Sequence, residues 1–429
     1  MPTARTVTPP TLSTATPTEL TATQPTTRTA TPTAPTPNEE GSARPAHFQS
    51  LVRCVGDIES FFDKHWNEAP LLRQTHGDEA FDDLASFDDL DHMVASIGVH
   101  ASNLRMVKSG QAIPMTAYTV PPAKKSRSLE RQVSGPLVYE RFDEGASIVL
   151  ESLHRYWLPL TDFCRDLELS LGHRLQVNAY ITPPGSQGFD VHRDTHDVFV
   201  LQVSGSKHWL VYARDDPELL LIDEEIERGS ALYVPKGFPH AASAGSQASA
   251  HLTVGILTHD STDIVREIAK LAEEEAVFSE RLPRDATTSP EALRATVQSH
   301  VEDLRAWLDG IDVDRLTQRV ARRTMSTSQP IVRGQLGQLA RLDDLDEQTL
   351  IVRRWGATCA LFPGQESLRV LLSERELEMP LAAKPAMGEI ANRERFRVRD
   401  LHQHLTPESA LVLVKRLIRE GLLQVDVDG

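Results

Sequence analysis

The sequence predicts an α+β protein. Its core should be a set of short antiparallel strands, closed as a barrel or folded as a double-sheet jelly roll, with helices before and after. Three observations predict this. Between residues 191 and 255, the β-rich runs "DVFVLQV", "KHWLVYA", "ALYVP" and "HLTVGIL" are separated by Gly, Ser, Asp and Pro turns, the mark of short strands at regular spacing. The flanking segments instead carry apolar residues at helical spacing. The chain has 429 residues, 25% charged and 40% hydrophobic, enough for two or three domains of ordinary globular composition.

Taken in order, residues 1–45 are Thr, Pro and Ala with almost nothing to bury. They predict a disordered, solvated tail. Without an apolar run it is no secretory signal, although its Thr and scattered Arg faintly resemble a transit segment. From Phe48, "FQSLVRCVGDIESFFDKHWNEAPLLRQ" predicts a helix ended by Pro70. "FDDLASFDDLDHMVASIG" predicts a second, and residues 148–169 ("IVLESLHRYWLPLTDFCRDLEL") a third. "VNAYIT" predicts a strand and "PPGSQG" a turn. After the strand-rich segment, residues 262–323 return to amphipathic helix, as in a bundle or a dimer interface. The C-terminal part mixes strands ("TLIVRRW", "CALFPG", "LRVLLS") with helices ("VRDLHQHL", "PESALVLVKRLIREGLL") and a closing "LLQVDV", the outline of a winged helix.

Composition excludes some functions. No apolar run approaches the roughly 18 residues of a membrane helix. A formal net charge of −16 is a poor basis for nucleic-acid binding, so none is expected. Cys54, Cys164 and Cys359 are far apart and lack CxxC spacing. They suit a reducing cytoplasm and neither a disulfide frame nor a Cys-type zinc site.

The chemistry is concentrated in "VHRDTHD". His192-Arg193-Asp194 is the tripeptide of a kinase catalytic loop. A kinase also needs an Asn at the position held by Phe199 and a later Asp-Phe-Gly, which the chain lacks. On a strand, residues two apart share a face, so His192 and Asp194 should point together into the barrel. An imidazole and a carboxylate are two members of the triad that holds non-heme Fe(II). One His-x-Asp pair is expected by chance among 16 His; a third ligand is needed. "RGSALYVPKGFPH" places Gly229, Pro235, Gly237 and His240 in the spacing G-x5-P-x-G-x2-H, which resembles the second motif of the cupin superfamily. Lys207 sits among apolar neighbours on the following strand. If buried it demands an anion, and a 2-oxoglutarate carboxylate would serve; the alternative is an exposed Lys at a hairpin start. His196 shares the ligands' face, as a pocket residue, a satisfied core histidine or a further ligand. Asp197 should make a structural hydrogen bond where its strand begins.

"NAYITPPGSQGFDVHRDTHDVFVLQVSGSKHWLVY" followed by "GSALYVPKGFPH", with Trp66 and Pro70 upstream, resembles the JmjC-type ribosomal oxygenases of the cupin-4 family. The resemblance covers roughly residues 48–429. It implies a peptidyl hydroxylase dependent on Fe(II), 2-oxoglutarate and O2, acting on an Arg or His side chain of a ribosomal protein. It implies metal ligands His192, Asp194 and His240, cosubstrate contacts Lys207, Asn178 and Thr253, and pocket residues Tyr180 and His196. The implied plan is a double-stranded β-helix (jelly-roll, cupin) catalytic domain over 46–260, a helical dimerisation region over 261–330 and a winged-helix-like domain over 331–429. A hydroxylase of a biosynthetic peptide, an N-methyl demethylase and a non-catalytic cupin regulator are the alternatives.

Overall fold

The computed structural model describes residues 49–75, 81–122, 130–325, 332–373 and 375–426; the Thr/Pro-rich tail lies outside them. The predicted first helix is two helices, α1 (Gln49–Val55) and α2 (Ile58–Lys64), followed by strand β1 (Leu71–Arg73). The break has a local cause. Gly56 takes a φ of +77°, which favours glycine, and the Asp57 side chain caps α2 by accepting from Ser60 N. The second predicted helix is confined to α3 (Phe87–Ala95), started by a capping box of Ser86 and Asp89.

Next come strands β2 (Leu104–Lys108) and β3 (Gln111–Ala112), the small hairpin β4 (Thr119–Val120) and β5 (Gln132–Val133), and α4 (Gly135–Asp143). The helix predicted over 148–169 requires correction. Its first part is strand β6 (Ser147–Leu150), and only α5 (Leu158–Leu171) is helical. Ile148, Val149 and Leu150 pair with β2 on one side and with β7 (Arg174–Thr182) on the other. Fully buried on both faces, they show no alternation, and adjoining helical sequence masked the strand.

The remaining strands are β8 (His192–Arg193), β9 (Asp197–Ser204), β10 (Ser206–Tyr212), β11 (Leu220–Glu227), β12 (Ala231–Val234), β13 (Pro239–Ala244) and β14 (Ser249–Leu257). One sheet runs β1-β12-β9-β14-β7-β6-β2-β3 and the other β11-β10-β13-β8. The pairings of both are antiparallel. The jelly-roll expectation holds.

Side-chain period explains why the strands read as unbroken apolar runs. Phe199, Leu201 and Val203 of β9 and Leu252, Val254 and Ile256 of β14 pack outward, in one core with Leu51, Phe61, Leu160 and Phe163 of the helices. Val198 and Val200 point inward, into a second core with Trp209, Val211, Leu232 and Phe238. A sheet covered on both faces leaves no polar side to alternate with. The acidic strand β11 is the converse: an exposed edge on which Ile226 is fully buried, so it did not announce itself as a strand.

Beyond the barrel lie α6 (Ser261–Ala272), the short α7 (Ala276–Ser279), α8 (Pro290–Asp309) and α9 (Val313–Thr324). Arg319 and Arg323 of α9 pair with Glu267 and Asp263 of α6, at 3.3 and 3.0 Å. The C-terminal part holds α10 (Gln335–Ala340), β15 (Leu350–Arg353), β16 (Cys359–Pro363), β17 (Ser367–Leu372), β18 (Arg375–Pro380), α11 (Lys384–Asn392), β19 (Arg395–Arg397), α12 (Pro407–Arg419) and β20 (Leu423–Val425). Its sheets run β19-β15-β20 and β16-β17-β18, around a core of Ile351, Val370, Met387, Phe396 and Val414. The predicted helix "VRDLHQHL" is a 3-10 segment, Val398–Gln403. No helix among the described residues is long and apolar enough to cross a membrane.

Candidate metal centre and its cavity

His192, Asp194 and His240 converge although they come from separate segments. Among the described residues they form the one His/Asp group able to hold a metal ion, their ligand atoms lying within 4.8 Å of one another. His192 pairs directly with His240 across β8 and β13. Asp194 follows the two-residue β8, so the convergence is only partly strand geometry. His192 Nε2 lies 3.9 Å from Asp194 Oδ1, and His240 Nε2 lies 3.6 Å from Asp194 Oδ2.

The two imidazoles are held alike. His192 Nδ1 donates to the Asp190 carbonyl (2.8 Å) and His240 Nδ1 to the Phe238 carbonyl (3.0 Å). A carbonyl only accepts, so Nδ1 of each ring carries a proton and Nε2 of each ring is turned towards Asp194. Burial, the largest influence, lowers the pKa of His240, which keeps that ring neutral. Two imidazoles with Nε2 turned to the site and one carboxylate are the donor set of a facial triad, and the residues fit a divalent metal of that kind.

The segments that carry the ligands are tied to each other. Asp197 is 1% exposed. Its Oδ1 accepts from Lys236 N and its Oδ2 from the Tyr233 hydroxyl, both at 2.7 Å. Gly237 N donates to the Asp194 carbonyl (3.1 Å), and Arg193 Nη1 donates to the Gly237 carbonyl (2.9 Å). The turn before His240 is thus fastened to the loop after His192. Asp197 makes the structural hydrogen bonds expected of it.

A cavity of about 190 Å³ adjoins the triad, lined from both sheets. Lys207, Tyr180 and Thr253 line it with His192, Asp194 and His240. Lys207 is 2% exposed, so it is buried rather than a surface hairpin residue. Its Nζ contacts His251 Nδ1 at 2.7 Å and the Tyr180 carbonyl at 3.4 Å, both uncharged acceptors. Desolvation pushes its pKa down to about 7. A buried cation held only by neutral groups calls for an anion.

Asn178 and His196 are placed differently from expectation. Asn178 is paired with Thr253 across β7 and β14, yet it is not among the cavity-lining residues. Its side-chain oxygen is taken by Ser152 N at 3.0 Å, where Ser152 has a φ of +60°. His196 also lies outside the lining. Its ring rests against Gly255, where a Cβ would come within 2.6 Å of Nε2. Gly255 lies two residues beyond Thr253 on β14, so His196 sits further along the same inner face.

Several lining residues carried no usable sequence signal. Arg105 and Ser147 come from β2 and β6, far upstream. Arg105 donates to Glu151 (2.6 Å), and its guanidinium lies 5.3 Å from the centroid of Phe189. His251 is the most informative omission. It is buried beside Lys207 and stacked on Tyr180 at 5.0 Å and 9°. The alternation that marks Thr253 in "SAHLTVGIL" marks His251 as well.

A family model for the JmjC domain matches residues 159–264. The chain carries a JmjC domain. It includes the triad, Lys207, Tyr180, His251 and Thr253. Over 271 residues, 58% of the chain, the sequence is 30% identical to Ribosomal oxygenase 1 of Gallus gallus. It is 29% identical over 54% of the chain to a Dictyostelium discoideum protein named bifunctional lysine-specific demethylase and histidyl-hydroxylase NO66. The chain spans 44% and 48% of the lengths of these relatives. In three dimensions it is similar to the Escherichia coli ribosomal oxygenase YcfD in complex with cobalt and 2-oxoglutarate. That match has a TM-score of 0.51 and 18% identity, over 86% of this chain and 98% of the other. The expected likeness to JmjC-type ribosomal oxygenases is therefore found, as is a mixed helix-and-sheet JmjC fold.

Two outcomes follow. Asp197→Asn replaces an acceptor by a donor in a buried site. It should cost about 2 kcal/mol of stability and weaken divalent-metal binding roughly tenfold; calorimetric metal titration and thermal melts check both, and wild-type values would refute the tie. Lys207→Met should stabilise the ligand-free protein. The free chain holds the Lys207 proton up to 10.5, the folded chain only to about 7. Between those values the unfolded state binds more protons, so this group makes stability rise with pH there. The variant should melt higher at neutral pH, with a flatter pH dependence across that window.

Proposed function

We propose that the protein is an Fe(II)- and 2-oxoglutarate-dependent dioxygenase that hydroxylates an Arg or His side chain of a ribosomal protein. The observation that carries this is one cavity lined both by a His-Asp-His triad and by a buried cation with no carboxylate partner among the described residues. Bound Fe(II), with 2-oxoglutarate and O2, supplies the oxidation of an unactivated C–H bond. The chain's own residues position and shield. His192, Asp194 and His240 would hold the metal from one side and leave the opposite positions free. Lys207 would pair the distal carboxylate of 2-oxoglutarate through a charge-assisted hydrogen bond. Thr253 offers a hydroxyl beside it, and Tyr180 forms part of the wall. Asn178 would act through Tyr180, to whose hydroxyl its side chain is hydrogen-bonded. His196, further along the inner face, is assigned to the target side chain.

The solved E. coli protein holding cobalt and 2-oxoglutarate supports the cofactor assignment. The name of the Dictyostelium relative includes histidyl-hydroxylase, which supports a His target. The same name includes lysine demethylase, which favours one second reading: hydroxylation of an N-methyl carbon, with loss of formaldehyde.

We assign residues 46–260 to catalysis, 261–330 to dimerisation and 331–429 to a winged-helix-like module. The dimer assignment rests on α8, which buries none of its 20 residues. Its Leu293, Val297 and Val301 are exposed by 43, 53 and 41% at four-residue spacing, an apolar stripe that the described residues leave about half open. Cys54, Cys164 and Cys359 are free thiols, in keeping with a cytoplasmic location.

With Fe(II), the protein should convert 2-oxoglutarate to succinate, and His192→Ala should reduce this at least ~100-fold. Mass spectrometry of ribosomal proteins from deletion cells should find one oxygen missing from one protein; spectra identical to wild type would sink the ribosomal target. Sedimentation should give a dimer, and the double change Val297→Glu with Val301→Glu should give a folded monomer. A monomeric wild type would overturn the α8 assignment.

A further inference from the structure

We propose that Arg105 is a specificity-determining residue at the target end of the cavity: it donates to a neutral imidazole, so the protein oxidises His rather than Arg. The inference rests on the hydroxylase reading above. The lining residues divide by depth. Lys207, Trp209 and His251 are buried, whereas Arg105, Phe189 and Asp194 are half-buried and His192 is exposed. The buried end is the one assigned to the diacid. A polypeptide has to enter from the open end, where Arg105 shares the rim with two of the metal ligands.

Arg105 is held in place without being used up. It stands on β2, where its Nε donates to Glu151 (2.6 Å) and its guanidinium lies over Phe189, 5.3 Å from the ring centroid. Phe189 in turn meets Tyr180 edge-on at 5.8 Å and His192 at 5.7 Å. The fork is thereby fixed one ring away from a metal ligand. Nε is the one nitrogen of Arg105 hydrogen-bonded among the described residues, so both Nη groups are left to donate. Such donors select by what a target can accept. A guanidinium only donates, whereas a neutral imidazole carries one lone-pair nitrogen. An Arg target would set a second guanidinium against Arg105 and would need a carboxylate to pair with. The lining includes one carboxylate, Asp194, and the metal site claims it. Glu151 lies outside the lining and is engaged by Arg105. A His target brings the acceptor that Arg105 lacks. A site built to hydrogen-bond one group rejects the analogue that cannot answer it.

The experiment uses the full chain with Fe(II) and 2-oxoglutarate, acting on ribosomal proteins isolated from deletion cells. Tandem mass spectrometry locates the oxidised residue, and the added oxygen should lie on a His. A synthetic peptide spanning that His should be oxidised with a kcat/KM at least ~100-fold above that of the same peptide carrying Arg there. Arg105→Met keeps an unbranched chain beside Phe189 but lacks the donors. It should lower kcat/KM for the His peptide ~10- to 100-fold, the range of a hydrogen bond to a charged group, and narrow the preference for His over Arg. Calorimetric titration of the Mn(II)-loaded variant with 2-oxoglutarate should match wild type, which separates a lost target contact from a disturbed site. If Arg105→Met does not fold, Arg105→Gln, which adds an acceptor, should narrow the same preference, and an unchanged preference overturns the proposal. Arg105→Met acting on the His peptide within about twofold of wild type overturns it too, as does an equal loss of 2-oxoglutarate affinity. A wild-type protein that oxidises no ribosomal protein overturns the parent reading and this inference together; oxygen placed on an Arg overturns only the inference.

Discussion

The geometry of the site depends on one buried carboxylate that ligates nothing. Asp197 accepts from the backbone of Lys236 and from the hydroxyl of Tyr233. It thereby joins the start of β9 to the turn that delivers His240. The residues it joins are about forty positions apart, and nothing local would hold them in register. A carboxylate with 1% exposure must satisfy its oxygens from the protein or forfeit several kcal/mol. The fold state therefore requires these contacts, and the contacts fix the distance between ligand segments. Precision in the triad comes from the obligation to satisfy Asp197.

The second constraint is burial of the larger sheet on both faces. Helices α1, α2, α3 and α5 cover its outer side through Leu51, Phe61, Leu90 and Leu160. The smaller sheet closes its inner side through Trp209, Val211 and Phe238. Strands held from both sides move little, so side chains projecting between the sheets inherit that rigidity. Thr253, His251 and Tyr180 stand on such strands, and Lys207 faces them from β10 of the smaller sheet. Two of the triad, His192 and Asp194, instead sit on a two-residue strand and the loop after it, which is why their placement against His240 of β13 needs the ties to Asp197 and Gly237.

The barrel and the triad were legible because their signals are local. Short β-branched runs between turns mark β9, β10, β12 and β14, and G-x5-P-x-G-x2-H marks the approach to His240. Spatial coincidence was not legible. Arg105 and Ser147 reach the cavity from β2 and β6, with no spacing to connect them to the ligands. Ile148 to Leu150 read as helix because a doubly buried strand lacks alternation. Asn178 sits on the expected face, but the left-handed Ser152 beside it claims its oxygen. That bond depends on a backbone conformation no pattern of residue types discloses. His251 could have been found: the alternation that selects Thr253 selects it too.

Lys207 shows how the fold and the site oppose each other. Removing an ammonium from water is costly, and His251 and the Tyr180 carbonyl compensate only through neutral acceptors. Its pKa, pushed down to about 7, records that imbalance. A structure selected for stability alone would put an apolar side chain at this position on β10, among Trp209 and Val211. The retained cation makes the empty cavity unfavourable and a filled one favourable, provided the occupant brings negative charge. Selectivity for an anion then comes from a cost already present in the folded chain, before any ligand arrives. The triad acts in the same sense: three ligand atoms within 4.8 Å, two imidazole nitrogens and a carboxylate oxygen, form a site completed by positive charge. One cavity thus asks for a cation where Asp194 lies and an anion where Lys207 lies. A metal chelated by a diacid answers both demands at once.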